Sequence, residues 1–235
     1  MPITSATQAI FGLPKAGRRT FQSVCLGTPG IVEYWPLSET SGTTLRDLMD
    51  AANTITISGT YTLAQAGPTA DGTTKSILFT NGGAGSNGIG HKPNLDADRS
   101  VAIWFKTASA SIQSLFSYGA NSSQSLFAVD MSVSVAGRIS LERYNGGFSP
   151  ALPAANDGRW HLLVLNYSAA AVQGSIDGAT FIAGSGVNLG TGTTSFGIGK
   201  DWVQSAFAWN GNIGPIAFFG RVLTQVEVMT LWATR

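Results

Sequence analysis

Two segments of this chain are apolar at consecutive rather than alternate positions. They are Ala102-Ile103-Trp104-Phe105 and, some fifty residues later, Leu162-Leu163-Val164-Leu165 inside the longer run from Asp157 to Tyr167. Successive side chains of a strand point to opposite faces. A strand of this kind is therefore apolar on both faces and cannot sit in a sheet with one wet side. It needs cover above and below, as the middle strands of two stacked sheets have. Short apolar runs separated by turn clusters continue along the chain and predict strands over 31–36, 55–63, 76–80, 101–107, 114–118, 126–135, 138–144, 160–168, 172–176, 195–198 and 211–220. Asp177-Gly178 and Asn145-Gly146-Gly147 supply turns, because glycine takes positive φ without a Cβ clash. The expectation is an all-β, two-sheet antiparallel sandwich.

The two ends depart from this pattern. Thr224 stands as an N-cap with Glu227 at N3 and a Leu223–Val228 staple, and Val228, Leu231 and Trp232 then make one apolar stripe. This predicts a short C-terminal helix closing one edge of the sandwich. Residues 1–30 show neither a period of 2 nor one of 3.6. They combine Lys15, Arg18 and Arg19 with scattered anchors at Ile10, Phe11, Leu13 and Phe21. They are expected to form an extended arm that docks on a neighbouring subunit or larger assembly, the alternative being that it packs back along its own sandwich. The domain itself is expected over 31–235.

Composition narrows the function. A chain of 235 residues can bury roughly 70% of its unfolded surface, so it needs no metal or disulfide to fold. Charged residues make up only 11%, against about 25% in typical domains. The polar surface must then come from Ser, Thr, Asn and Gln, which suits extracellular or virion particles. A net charge of +1 offers no basic stripe for nucleic acid. The single cysteine, Cys25, excludes an intrachain disulfide and is expected as a small buried hydrophobe. No apolar run has the length of a membrane span, and Ala9 to Leu13 is too short for a signal-peptide core. The expected route is synthesis in a host cytoplasm and release as part of a virion.

Several stretches resemble the laminin-G-like branch of the concanavalin-A-like lectin and glucanase jelly rolls. Tyr34-Trp35-Pro36-Leu37 through Thr43 resembles the opening strand and turn, and Gln65-Ala66-Gly67-Pro68 with Ser76-Ile77-Leu78-Phe79 the approach to the next core strand. The two doubly apolar segments match the Ala-Trp-Phe and Asp-Gly-x-Trp-His signatures, and Ser175-Ile176-Asp177-Gly178 the following hairpin. Gly211 to Ala217 with Arg221-Val222-Leu223-Thr224 resembles the closing strand and its capped helix. The resemblance implies a jelly-roll fold over about 31–235 and is nearly silent on ligand, because this fold hosts many functions. Relatives often place acidic residues where Gly214 and Pro215 stand here.

The residues of known chemistries are sparse. Retaining glycoside cleavage needs two carboxyl groups about 5–5.5 Å apart. Yet none of Glu33, Glu39, Glu142 and Glu227 has a carboxylate two residues on, and the chain is expected not to be an enzyme. His161 lies within a strand pattern, and a hydrogen-bonded packing role is expected for it. Gly83 to Gly88 matches G-x-G-x-x-G but opens no helix, so a flexible loop is expected rather than a phosphate cradle. The resemblance allows calcium at loop carboxylates such as Asp71, Asp96, Asp98 and Asp201, but ordinary turn capping explains them, and no cofactor or metal is expected.

Glycan binding or a subunit contact would use loop-borne aromatics with amide and carboxylate neighbours: Lys200-Asp201-Trp202 and Phe207-Ala208-Trp209-Asn210 first, then Tyr144-Asn145. Trp35, Trp104, Trp160 and Trp232 are expected in the core. The sequence as a whole suggests a non-enzymatic structural subunit of a bacteriophage particle, a capsid decoration or tail-type protein displaying a lectin-like domain through its arm. The alternative is a carbohydrate-binding lectin module for host surface glycans. Expected partners are other virion proteins and copies of itself, with host glycans in the alternative.

Overall fold

The structure, a computed structural model, describes residues 19–69, 72–142, 148–150, 152–168, 171–184, 189–202 and 205–235. It opens with helix α1 (Phe21–Gly27), followed by β1 (Ile31–Trp35), β2 (Thr44–Arg46), β3 (Thr54–Ala66) and β4 (Lys75–Asn87). Then come β5 (Arg99–Lys106), β6 (Gln113–Gly119), β7 (Leu126–Met131), β8 (Ile139–Glu142) and β9 (Phe148–Ser149). The chain continues through β10 (His161–Ser168), β11 (Ala171–Ile176), β12 (Ile182–Ala183), β13 (Ser195–Ile198) and β14 (Trp209–Phe219) to helix α2 (Gln225–Trp232).

All strand pairings are antiparallel, and one hydrogen-bonded path runs β12-β11-β10-β5-β14-β4-β13-β6-β7-β8-β9. β1 pairs with β14, and β3 joins β2 to β4. The sheet curls on itself at β4. That strand's first half lies beside β14 and its second half beside β13, so one strand serves both leaves of the sandwich. Backbone crowding at the bend calls for glycine. Gly59 has φ +78, and a Cβ on Gly82 would run into the Thr60 carbonyl. The register also shifts at Trp209/Asn210 on β14 and at Gly59/Tyr61 on β3, as bulges that turn a strand do.

The main core fills the space between the leaves. Val101, Ile103, Phe105, Leu163, Leu165 and Phe218 on one side meet Phe116, Phe127, Val129, Phe196 and Ile198 on the other. Phe218 meets Phe116 and Phe196 edge-on, at 5.5 and 5.7 Å between ring centroids. The doubly apolar segments are therefore inner strands, as their pattern requires, but the cover on their second face is not another sheet. Ala102, Trp104, Leu162 and Val164 point away from the sandwich core, into a second cluster closed by Phe21 and Cys25 of α1 and by Leu223, Val228 and Leu231.

Both helices are held by reciprocal capping boxes. In α2, Glu227 N donates to Thr224 Oγ1 at 3.3 Å, and Thr224 N donates to Glu227 Oε2 at 2.8 Å. In α1, Thr20 and Ser23 make the same exchange at 3.1 and 3.0 Å. The α1 box uses Ser rather than Glu at N3 and spans only seven residues, too few for helical periodicity to show in the sequence.

This corrects the reading of residues 1–30 as an arm throughout. Phe21, expected at a docking surface, is 1% exposed and packs on Tyr34 and Trp104 within its own domain. Arg19 remains exposed just before the helix. Ile10, Phe11, Leu13, Lys15 and Arg18 lie outside the described residues, as do Asp71, Tyr144 and Asn145.

Other expectations divide. Asp177 and Gly178 both have positive φ, +58 and +76, and turn the chain out of β11 as expected. The stretch from Gly83 to Asn87 is not a loop: it belongs to β4 and pairs with β13. The strand expected over 126–135 stops at Met131, where Ser132 turns to φ +67. Trp35 and Trp104 are fully buried, while Trp160 and Trp232 are partly exposed. Cys25 is buried.

One ion pair is enclosed entirely. Lys92 Nζ donates to Glu33 Oε2, both side chains being inaccessible, and the ammonium sits 3.3 Å from the Phe196 ring centroid. Glu33 also accepts from Trp35 Nε1 at 2.8 Å and His91 N at 2.6 Å. Burial pulls the Lys92 ammonium down to about 8 against the opposing pull of Glu33.

Candidate functional site

The bend that closes the sandwich leaves an open groove at its rim. β5 ends at Lys106, β6 starts at Gln113 and β14 starts at Trp209, so their ends converge there. Gly211 has φ +149, and a Cβ at that position would collide with the Lys106 carbonyl. Only glycine lets β14 pass this close to β5.

Buried side chains fix the groove floor. Thr107 Oγ1 donates to Asn210 O at 2.6 Å and accepts from Ser109 N at 3.0 Å and Gln113 Nε2 at 3.2 Å. Gln113 Oε1 accepts from Asn210 N at 3.0 Å. Thr107 and Gln113 are 3% and 1% exposed. The Asn210 backbone is thus clamped on both sides, while its carboxamide is exposed and takes no partner among the described residues.

Two hollows meet at this residue and a third adjoins the second. One of about 530 Å³ is lined by Lys106, Thr107, Ser109, Gly158, Asn210 and Asn212. A second, of about 370 Å³, shares Ser109 and Asn210 and adds Thr80, Asn81, Ser111 and Gln113. A third, of about 300 Å³, shares Asn81 and is lined also by Ser58, Lys200 and Phe207. The lining combines hydroxyl, amide and ammonium groups with the apolar surface of Ala108, Ala208 and Phe207, and apolar surface predominates in the first two hollows. No Asp or Glu side chain lines any of the three among the described residues.

The other aromatic candidates separate. Trp209 is a correction: it is fully buried and packs edge-on against Phe105 at 5.9 Å, because β14 begins one residue before the bend and turns its indole inward. Asp201 is likewise 0% exposed, in a hairpin bridged to Ala206. Trp202 is half-buried on the face of β4 and β13 that points away from the core. Its indole covers Gly85 and its Cβ crowds Gly197, both positions where any larger side chain would strike it. Its amide donates to Ser117 Oγ at 2.9 Å.

Two side chains beyond the expected set, Asn81 and Lys106, join Lys200 of the expected loop to complete the picture. Asn81 takes φ +78 at the bend; Asn-Gly is a turn signal in the sequence, hidden here inside a strand pattern. Lys106 and Lys200 stand at the groove, each ammonium 5.9 Å from the centroid of an indole, Trp160 and Trp202 respectively.

A carboxylate pair lies on the outward face of β7 and β8. Asp130 pairs with Ser140 across the ladder, and Glu142 sits diagonally from it on the same face. Asp130 is 0% exposed, and neither carboxyl oxygen has a hydrogen-bond partner among the described residues. Burial and then the neighbouring Glu142 carboxyl push its pKa well above the usual range. No spacing rule along the sequence brings these two together, because they meet only across strands.

His161 stands between two carboxylates. Nδ1 lies 2.8 Å from Asp177 Oδ2 and Nε2 3.0 Å from Asp157 Oδ1. The Asp177 contact raises its pKa, partial burial opposes the rise, and Asp157 adds to it. With both ring nitrogens held by acceptors, the imidazolium is favoured and no nitrogen is left to take a proton from a substrate. Its role is to pin the Asp157–Gly158 turn beside the groove. Asp96 is used structurally too, accepting from the Tyr167 hydroxyl. Among the described residues no three His, Cys, Asp or Glu side chains gather to hold a metal ion.

An antiparallel β-sandwich of this kind is the architecture shared by lectin- and glucanase-like domains. The sequence profile of the concanavalin A-like lectin/glucanases superfamily, laminin-G type, matches residues 81–229, and the chain belongs to that family. No curated protein matches the sequence. Solved structures are similar in fold at low identity. Domain 4 of the extracellular GH43 arabinanase AbnA from Geobacillus stearothermophilus, in complex with arabinotriose, shares 16% identity at a TM-score of 0.66, with 86% of this chain and 97% of that one covered. Trypanosoma rangeli sialidase in complex with sialic acid shares 14% at 0.63, covering 88% of this chain but only 33% of the sialidase. A mutant GH54 α-L-arabinofuranosidase shares 10% at 0.59, covering 82% of this chain and 50% of that one.

Proposed function

We propose that this domain binds an oligosaccharide, without cleaving it, in the groove around Asn210. The observation that carries the reading is the clamped Asn210 backbone with its free carboxamide. Sugars are recognised by amides and hydroxyls held in fixed positions, and the buried Thr107–Gln113 framework supplies that rigidity. The arabinotriose complex of the arabinanase domain is in keeping with it. Among the described residues no carboxylate lines the groove, which argues against hydrolysis, since that needs an acid and a base or nucleophile flanking the scissile bond. The test is titration calorimetry with a panel of oligosaccharides. Binding that weakens at least about tenfold in Asn210→Ala, a loss of roughly 1.4 kcal/mol, with no product released, supports the reading. Absence of any binding, or release of shorter sugars, overturns it.

A second reading keeps the domain as a structural subunit displayed on a bacteriophage particle through its N-terminal residues. In its favour, Leu26 of α1 and Val226 and Met229 of α2 are exposed on touching helices, close to where residues 1–18 join. Exposed apolar groups of this kind suit a packing contact. Loss of incorporation into particles on removing residues 1–18 would favour this reading; unchanged incorporation would oppose it.

A further inference from the structure

Lys106 and Lys200 are the two charged side chains of the groove among the described residues, and their placement goes beyond general sugar binding. Each lies against the ring of a partly buried tryptophan, at 5.9 Å from ammonium to centroid. An indole face supports a cation without neutralising it. Neither ammonium pairs with a carboxylate among the described residues, and none of the groove's three hollows has an acidic side chain in its lining.

The nearby carboxylates are either paired or enclosed. Asp157, next to Gly158 in the lining, accepts from Arg159 N and from His161. Asp201, next to Lys200, is enclosed at 0% exposure, and so is Asp130. This local excess of positive charge belongs to a chain whose net charge is only +1. The groove is thus a confined positive feature and not one part of a generally basic surface.

Resting on the glycan-binding reading above, we infer that the ligand is an anionic oligosaccharide, whose acidic groups are met by Lys106 at one end of the groove and Lys200 at the other. Between them Asn210, Asn81, Thr80 and Ser109 meet hydroxyls. The shared chemistry is a negatively charged sugar unit, either a uronic-acid carboxylate or a sulfate ester.

Calorimetric titration of the full chain against three oligosaccharide sets of equal length separates the cases: neutral arabino- or xylo-oligosaccharides, oligogalacturonates, and sulfated chondroitin oligosaccharides. Acidic sugars should bind at least about tenfold more tightly than neutral ones, with the preference shrinking as salt rises from 50 to 500 mM, roughly the range over which screening strengthens. Lys106→Gln and Lys200→Gln should each weaken acidic-sugar binding about two- to fivefold and the double variant about tenfold, in each case more than they weaken neutral-sugar binding.

Lys75→Gln, at the start of β4, is the control for non-specific charge, and the thermal midpoint of each variant checks the fold. Preference for the galacturonate set assigns carboxylate; preference for the chondroitin set assigns sulfate. Equal binding of neutral and acidic sugars overturns the inference while leaving glycan binding intact, and so does an equal loss in Lys75→Gln. No binding of any set overturns both.

Discussion

Trp104 of β5 and Trp232 of α2 stack with ring centroids 5.4 Å apart and planes inclined by 23°. This pair joins the last helix to the outer face of a central strand, and α1 closes the same face from the other side through Phe21, 6.0 Å from Trp104. The outer cluster is therefore part of the fold and not an appendage.

Removing that cover should be costly in a graded way. Trp104→Ala should lower stability by about 3–5 kcal/mol, and Trp232→Ala by less, because its ring is only partly buried. Deleting through Thr28 should lower the urea midpoint further than deleting residues 1–18 does, by exposing the cluster that α1 covers. Equal midpoints for the two truncations would show that α1 contributes nothing.

The enclosed Lys92–Glu33 pair gives a second expectation. Lys92→Met alone should cost about 3–5 kcal/mol, because it strands a buried carboxylate. Adding Glu33→Gln should recover much of the loss. Chemical denaturation of the single and double variants reads this coupling directly, and additive losses would refute it.

Asp130 should destabilise the protein at neutral pH. Its folded-state pKa is raised, so its contribution is most favourable below the ordinary carboxylate range and is lost as pH rises through the raised value. Asp130→Asn should then stabilise the protein at pH 7, by on the order of 1–3 kcal/mol, and the gain should vanish near pH 3. Thermal midpoints across that pH range check it; a gain that does not depend on pH would contradict the assignment.

His161 works with the same sign from a base. Its folded pKa is raised, so the stability it contributes is full below the ordinary histidine value near 6.5 and fades as pH rises through the folded value. Asp157 works in the opposite direction. Held down first by the His161 contact, it loses its contribution as pH falls through its lowered value. The pair should therefore support the Asp157–Gly158 turn best between those limits. An NMR titration should show the His161 midpoint falling in Asp177→Asn; an unmoved midpoint would rule out the contact as its cause.

Most of the longer strands and the C-terminal helix were legible in the residues because their signals are local, whereas β2, β12 and the second half of β4 were not. The consecutive apolar run at Ala102–Phe105 demanded cover on both faces, and Thr224 with Glu227 marked a helix start three residues apart. Even the Asp177-Gly178 turn follows from what each residue's own backbone tolerates. What supplied the second cover did not follow, since α1 is too short to show a period and meets Trp104 only in the folded chain. Asn210 was visible as a loop amide, but its neighbour Trp209 faces the core because a register shift at the bend decides which side each residue takes. Asp130 meets Glu142 only through strand pairing, and Lys106 and Lys200 reach the two ends of one groove only through the curl of the sheet. Such neighbours are chosen by topology, and topology is settled by how the whole apolar set is buried, not by any one segment.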